Sequence, residues 1–203
     1  MTAKVSPEEV LQLARSKIVQ SRELEACGVS RTRLRQLVAS GILQRLNRGL
    51  YMARDFDFDE NISLAEVAIR CPKAVMCLLT ALRFHDLTTE NPQAVHIMLP
   101  LGSQRPRFSS PSLNVSWSSP VMLAEGVEER LMSGVPVRIT NAAKTVVDCF
   151  KYRRTVGLPV AIEALHDAWG KRKASADDLW RYAKICRMTN VMRPYFDSLT
   201  VRS

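Results

Sequence analysis

Apolar residues recur with two periods along this chain, and the switch between them marks out its first domain. Pro7, Glu8 and Glu9 lead into Val10, Leu11, Leu13, Ala14 and Ile18. Helical spacing with proline in the first turn and acids at the positive end of the dipole predicts a helix over about 7–17. Ser21 precedes a short segment, Arg22 to Ala26, that stops at Cys27-Gly28, where glycine can take the left-handed conformation. Ser30 then caps a third helix over about 31–40, with Leu34, Leu37 and Val38 on one face and Ser40-Gly41 at its end. The pattern changes next to two short β-prone runs, 42–46 and 50–53, joined by the turn residues Asn47, Arg48 and Gly49. Three helices followed by a hairpin predict a winged helix-turn-helix over residues 1–57.

The acidic run Asp55 to Glu60 reads as a linker, with its two phenylalanines able to dock on either neighbour and the boundary near Asn61. Beyond it, Ser63 and Glu66 have the spacing of a capping box ahead of Leu64, Ala65, Val67, Ala68 and Ile69, and Pro72 separates that helix from a second one at 74–84. Strand patterns follow at 94–99, 113–117 and 135–139. Thr140 is positioned to cap a helix through Phe150, and 160–169 and 175–188 read as helices, the last opened by Ser175 and Asp178. Residues 61–203 are therefore expected to form a mixed α/β domain, giving an α+β chain overall, without internal repeats or low-complexity tracts.

Charge sharpens this picture only through its distribution. The 203 residues carry a formal net charge of +9, which favours a polyanionic partner but says nothing of fold. Six arginines (Arg31, Arg33, Arg35, Arg45, Arg48 and Arg54) lie between Gly28 and Arg54 without one Asp or Glu. If Leu34 marks the buried direction of the third helix, then at roughly 100° per residue Thr32 and Gln36 point away from the core, flanked by Arg33 and Arg35. Those side chains suit base edges in a major groove: Gln pairs bidentately with adenine, Arg with guanine, and Thr offers a hydroxyl and a methyl. Arg31, beside the helix N-terminus, is better placed for phosphate. At the hairpin, Arg45, Asn47 and Arg48 supply a second contact, to backbone or minor groove. The plain alternative for any one of these arginines is a solvated face.

Other chemistry finds little support. His85, His96 and His166 lie far apart and share no ligand spacing with the cysteines, so core or surface roles are expected and no metal or cofactor is assigned. No Asp or Glu is followed at i+2 by Lys, as an Asp…Glu-x-Lys nuclease site would need. There is no G-x-x-x-x-G-K phosphate loop, and Gly102-Ser103 lacks the acidic pair of a nucleotidyltransferase. No catalytic residue is assigned. The loop with Arg105 and Arg107 and the cluster Lys171-Arg172-Lys173 read as solvated charge. Five cysteines, an odd set without C-x-x-C spacing, fit a reducing, cytoplasmic compartment. Residues 1–17 lack a signal-peptide core and no run approaches ~18 apolar residues, so neither export nor membrane insertion is expected.

The stretch Cys27 to Tyr51, Cys-Gly-Val-Ser-Arg-Thr-Arg-Leu-Arg-Gln-Leu-Val-Ala-Ser-Gly-Ile-Leu-Gln-Arg-Leu-Asn-Arg-Gly-Leu-Tyr, resembles the N-terminal winged-helix domain of AbiE-type antitoxins of bacterial type IV toxin-antitoxin systems. A weaker resemblance continues through Cys77 to Thr88, the strand near 95–100, and Ile139 to Cys149. It implies a protein that represses its own operon at inverted repeats through its first domain and counters a nucleotidyltransferase toxin, without a stable complex, through its second. It implies DNA contact at Arg31, Thr32, Arg33, Arg35, Gln36 and Arg48, and assigns no toxin-directed residue.

The leading expectation is thus an autoregulatory, non-catalytic antitoxin that binds double-stranded DNA. The alternatives are a stand-alone winged-helix regulator whose C-terminal domain senses a ligand or protein, and a nuclease that uses the winged domain for targeting.

Overall fold

The computed structural model describes residues 6–57, 60–108 and 110–200, and it forms two compact units. One comprises the chain up to Arg70 together with Leu131–Pro136; the other comprises Cys71–Arg130 and the remainder from Val137.

The N-terminal unit begins with α1 (Pro7–Ser16), where Ser6 accepts a hydrogen bond from the Glu9 N–H at 3.2 Å and the Glu9 carboxylate accepts from the Ser6 N–H at 2.7 Å. A two-residue strand, β1 (Val19–Gln20), follows, then α2 (Ser21–Ala26) and α3 (Arg31–Ala39). The hairpin is β2 (Leu43–Asn47) and β3 (Leu50–Ala53), with Gly49 at φ +76° completing its turn. The sheet order is β1-β3-β2, all antiparallel. Val10, Ala14, Val19, Leu24, Leu34, Leu37 and Leu43 share one core, with Leu11, Leu13 and Val38 partly buried against it. Strand β1 had no sequence signal of its own: two residues are too few for a period, and it exists because Val19 and Gln20 pair with Tyr51 and Leu50. Ser21 is the first residue of α2 rather than its cap, and Gln20 N–H is taken instead by the Glu23 carboxylate at 2.7 Å.

Helix α4 (Ile62–Arg70) corrects two expectations. Ser63 lies inside it, and Asn61 O accepts from the N–H groups of Leu64 and Ala65. Glu66, the supposed partner of Ser63, is buried and accepts from Asn47 Nδ2 and Arg70 Nη1, each at 2.7 Å. Those bonds draw α4 to the hairpin, so the compact unit runs to Arg70 where the sequence placed a boundary near Asn61. Phe56 is buried; Phe58 and Asp59 of the linker lie outside the described residues.

The C-terminal unit is built on a five-stranded mixed sheet in the order β6-β5-β4-β8-β7. Its strands are β4 (Val75–Met76), β5 (Val95–Pro100), β6 (Leu113–Ser118), β7 (Val127–Met132) and β8 (Val135–Thr140), the last two except for their residues within 131–136. Residues 75–76, expected as helix, form the central strand: Val75 and Met76 face Met98 and Ile97 on one side and Met76 faces Ile139 on the other. A short, wholly apolar run has no period that separates strand from helix, and only α5 (Leu78–Phe84) of that prediction is helical.

Helices α6 (Pro120–Ala124), α7 (Ala142–Lys151), α8 (Arg153–Val156), α9 (Leu158–Gly170), α10 (Ala176–Ile185) and α11 (Thr189–Thr200) complete the unit. Helix α7 packs against α5, α9 and α10. Its cap is Asn141, whose side chain accepts from the Lys144 N–H, and not Thr140, which ends β8 and exchanges hydroxyl contact with Thr145. Ser175 caps α10 through the Asp178 N–H as expected.

Lys144 Nζ contacts both Asp148 oxygens at 2.6 Å with neither side chain exposed. Burial pushes the Asp148 carboxyl up, and the ammonium opposes it. Gly126, at φ +66°, is required beside this pair: a Cβ there would come within 2.7 Å of Lys144 Cβ and 2.9 Å of the Tyr182 ring.

Candidate nucleic-acid interface

Helix α3 exists where it does because Ser30 accepts from the Arg33 N–H at 3.2 Å and Leu34 and Leu37 seat one face in the core. Six of its nine residues, Arg31, Thr32, Arg33, Arg35, Gln36 and Ala39, are exposed. The hairpin is tied to the start of α2 by a 2.9 Å hydrogen bond from the Ser21 N–H to Gly49 O. That bond and the shared core fix the hairpin relative to α3.

Between them lies a concavity of about 650 Å³ with a mixed lining. Its floor includes Leu34, Val38 and Tyr51, and its rim carries Arg31 and Arg35 from α3 and Arg45 and Arg48 from the wing. Four guanidiniums thus converge from two elements. Thr32, Arg33 and Gln36 are not among its lining residues and form a separate exposed set on α3, where Arg33 Nη1 donates to Gln36 Oε1 at 3.4 Å. The eight residues singled out in the sequence therefore fall into a groove set, an outer helix set, and Asn47.

Asn47 has a different position from the one expected. Its amide nitrogen donates to Glu66 Oε1 at 2.7 Å and its carbonyl oxygen accepts from the Arg48 N–H at 2.8 Å. Arg45 Nε also donates to Asn47 O at 3.2 Å. The residue acts as a bracket for the wing tip and presents Arg48 to solvent.

The surface is not free of carboxylates, although the sequence between Gly28 and Arg54 is. Glu25, on α2, lines the groove and accepts from Arg31 Nε at 3.0 Å. No helical spacing connects residues 25 and 31, because the turn after α2 brings them together. Tyr51 was missed as well, although its signal was present. It is the cross-strand partner of Arg45, and opposed residues in an antiparallel pair share a face.

Of the other charged candidates, Arg105, Lys171 and Lys173 are engaged within the C-terminal unit. Arg105 Nη2 donates to Leu113 O at 2.9 Å, and Lys171 Nζ lies 2.6 Å from Asp167 Oδ2 and 2.8 Å from Asp86 O. His96 is buried in β5, with Asn114 Nδ2 3.1 Å from its Nε2. Burial pushes the Cys77 and Cys149 thiols well up, which suits them to core packing. Among the described residues there is no group of three His, Cys, Asp or Glu arranged to hold a metal ion, and no helix long and apolar enough to cross a membrane.

No curated protein matches the sequence. Among solved structures, that of the RV2827C protein from Mycobacterium tuberculosis superimposes with a TM-score of 0.58 over 90% of this chain and 73% of that chain, at 17% identity, which is a likeness of fold. Residues 8–53, which include every candidate contact on α3 and the wing, match the family model of the AbiEi antitoxin transcriptional regulators.

Proposed function

We propose that this protein is a DNA-binding repressor of its own promoter and the antitoxin of a type IV toxin-antitoxin pair. One observation carries the DNA reading: Arg31, Arg35, Arg45 and Arg48 line one groove beside the exposed Thr32, Arg33 and Gln36. Phosphate contacts position a protein on duplex and base contacts specify the site, and these two sets have the chemistry for one task each. In this reading α3 enters a major groove with Thr32, Arg33 and Gln36 toward base edges, while the arginine-lined groove takes the adjacent sugar-phosphate strand. Inverted repeats in the operator would be matched by two copies of the chain.

The antitoxin half rests on the family match over residues 8–53 and on the resemblance through Cys77 to Thr88 and Ile139 to Cys149. The partner is a nucleotidyltransferase toxin opposed without a stable complex, and the compartment is the cytoplasm.

A mobility-shift titration of the full chain on its own promoter, against scrambled duplex of equal length, tests the first half. Specific retardation at modest salt is expected, and equal affinity for both duplexes would sink it. Co-expression with the adjacent gene tests the second: relief of that gene's toxicity is expected, and unrelieved toxicity would leave only the regulator.

A further inference from the structure

The C-terminal unit holds a second concavity, of about 430 Å³, that the DNA reading does not use. It opens at the N-terminus of α7, and three cations from different segments line it: Arg130 on β7, Lys173 between α9 and α10, and Arg181 on α10.

The hydrogen bonds around it leave donors without acceptors. Tyr182 is 2% exposed, and its hydroxyl oxygen accepts from Asn141 Nδ2 at 2.9 Å and from Arg181 Nη2 at 2.5 Å. Both lone pairs are thereby used, and the phenolic proton has no acceptor among the described residues. Asn141 caps the Lys144 N–H, which leaves the N–H groups of Ala142 and Ala143 at the first turn of a ten-residue helix likewise without acceptors there. Arg181 has no carboxylate partner among the described residues and lies 4.6 Å over the Tyr182 ring. The carboxylates in the lining are already engaged: Glu128 with Arg130, and Asp178 with the Ser175 hydroxyl at 2.6 Å. Lys173 bonds His85 O at 2.6 Å and Asp86 Oδ2 at 3.0 Å. Burial lowers the pKa of the His85 imidazole, and its Nε2 is 2.7 Å from Thr140 O.

A buried phenol proton, two helix N-terminal amides and a guanidinium without a carboxylate partner line one cavity and form a donor set for a compact oxyanion. The volume leaves space beyond an oxyanion for the body of a small molecule. We propose that this cavity binds a small organic phosphomonoester, with its phosphate seated on the α7 N-terminus between Tyr182 and Arg181. The proposal needs neither DNA binding nor a toxin, so it stands or falls separately from the function proposed above.

Calorimetric titration of the full chain with ribose 5-phosphate, with ribose as the comparator, tests it. Binding of the phosphate ester and none of ribose is expected. Arg181→Gln removes a charge-assisted contact at an exposed position and should weaken binding by about tenfold or more. Ala142→Pro deletes one N–H at a helix position that tolerates proline and should weaken it with the melting temperature kept. Glu128→Gln releases Arg130 and should tighten it. A flat titration of the wild-type chain, or an affinity that all three substitutions leave unmoved, would overturn the proposal.

Discussion

Helices α3 and α7 start alike and end in opposite environments. Each is capped by a side chain that accepts the third N–H of the helix, Ser30 in one and Asn141 in the other, and they run nine and ten residues. Helix α3 buries only Leu34 and Leu37, and its three arginines remain in water. Helix α7 buries every residue from Ala142 to Phe150, Lys144 and Asp148 included. Where a charge sits decides what it does. A hydrated guanidinium gives up little when it exchanges water for phosphate, whereas a buried ammonium must carry its own counter-charge, because desolvating it alone costs several kcal/mol.

The largest effect should come from unbalancing the buried pair. Asp148→Asn leaves the Lys144 ammonium without a counter-charge, and urea denaturation should show a loss of about 3–5 kcal/mol. The double substitution Lys144→Met with Asp148→Leu should recover much of that loss. A neutral single variant would mean that α7 tolerates an unmatched charge, and the contrast with α3 would fail.

On α3 and the wing, substitutions should alter binding and spare stability. Gln36→Ala is expected to erode discrimination between the operator and a base-substituted site by about 1–3 kcal/mol. Arg48→Ala should weaken all sequences alike and lower the salt slope by about one. If Gln36→Ala leaves sequence preference unchanged in a binding titration, the outer face of α3 does not read bases. If Arg48→Ala shifts neither affinity nor slope, the wing is idle.

Smaller still is the effect of Glu25, the carboxylate among the groove residues. Glu25→Gln frees Arg31, and because that pair is largely exposed the gain in DNA affinity should be no more than about 1 kcal/mol. Weaker binding by this variant would show that Glu25 orients Arg31 rather than competing for it.

The smallest expected effect is a pH dependence in the same unit. Burial alone would raise the Glu23 carboxyl, but Lys17 Nζ at 2.7 Å and the Gln20 N–H outweigh it and hold its pKa below the ordinary value. A depressed folded-state pKa contributes stability that is present above the unfolded value, roughly pH 4.3, and is lost as pH falls through the lower folded one. Glu23→Gln should therefore flatten the acid side of the stability profile. An unchanged acid limb would remove this residue from the account.

The two units also differ in how much of each could be read from the residues. In the first, Pro7 with Glu8 and Glu9, Ser30, the Leu34 and Leu37 face and the Asn47 to Gly49 turn are local signals, complete within a few positions, and each is realised. In the second, β7, α6, α8 and α11 had no assigned signal. Val75 and Met76 form a strand only because β5 and β8 lie on either side of them.

The sequence by itself determined the starts of α1, α3 and α10, the wing turn and the outward direction of Thr32, Arg33 and Gln36. Capping, turn chemistry and a 3.6-residue period act over distances that neighbouring residues span. Tertiary structure alone decided that Glu25 enters an arginine groove, that Asn47 and Glu66 join the wing to α4, and that Lys144 and Asp148 meet away from water. Each of those outcomes depends on which segments pack together, and burial sets the energy of a charge far more strongly than its position in the chain does.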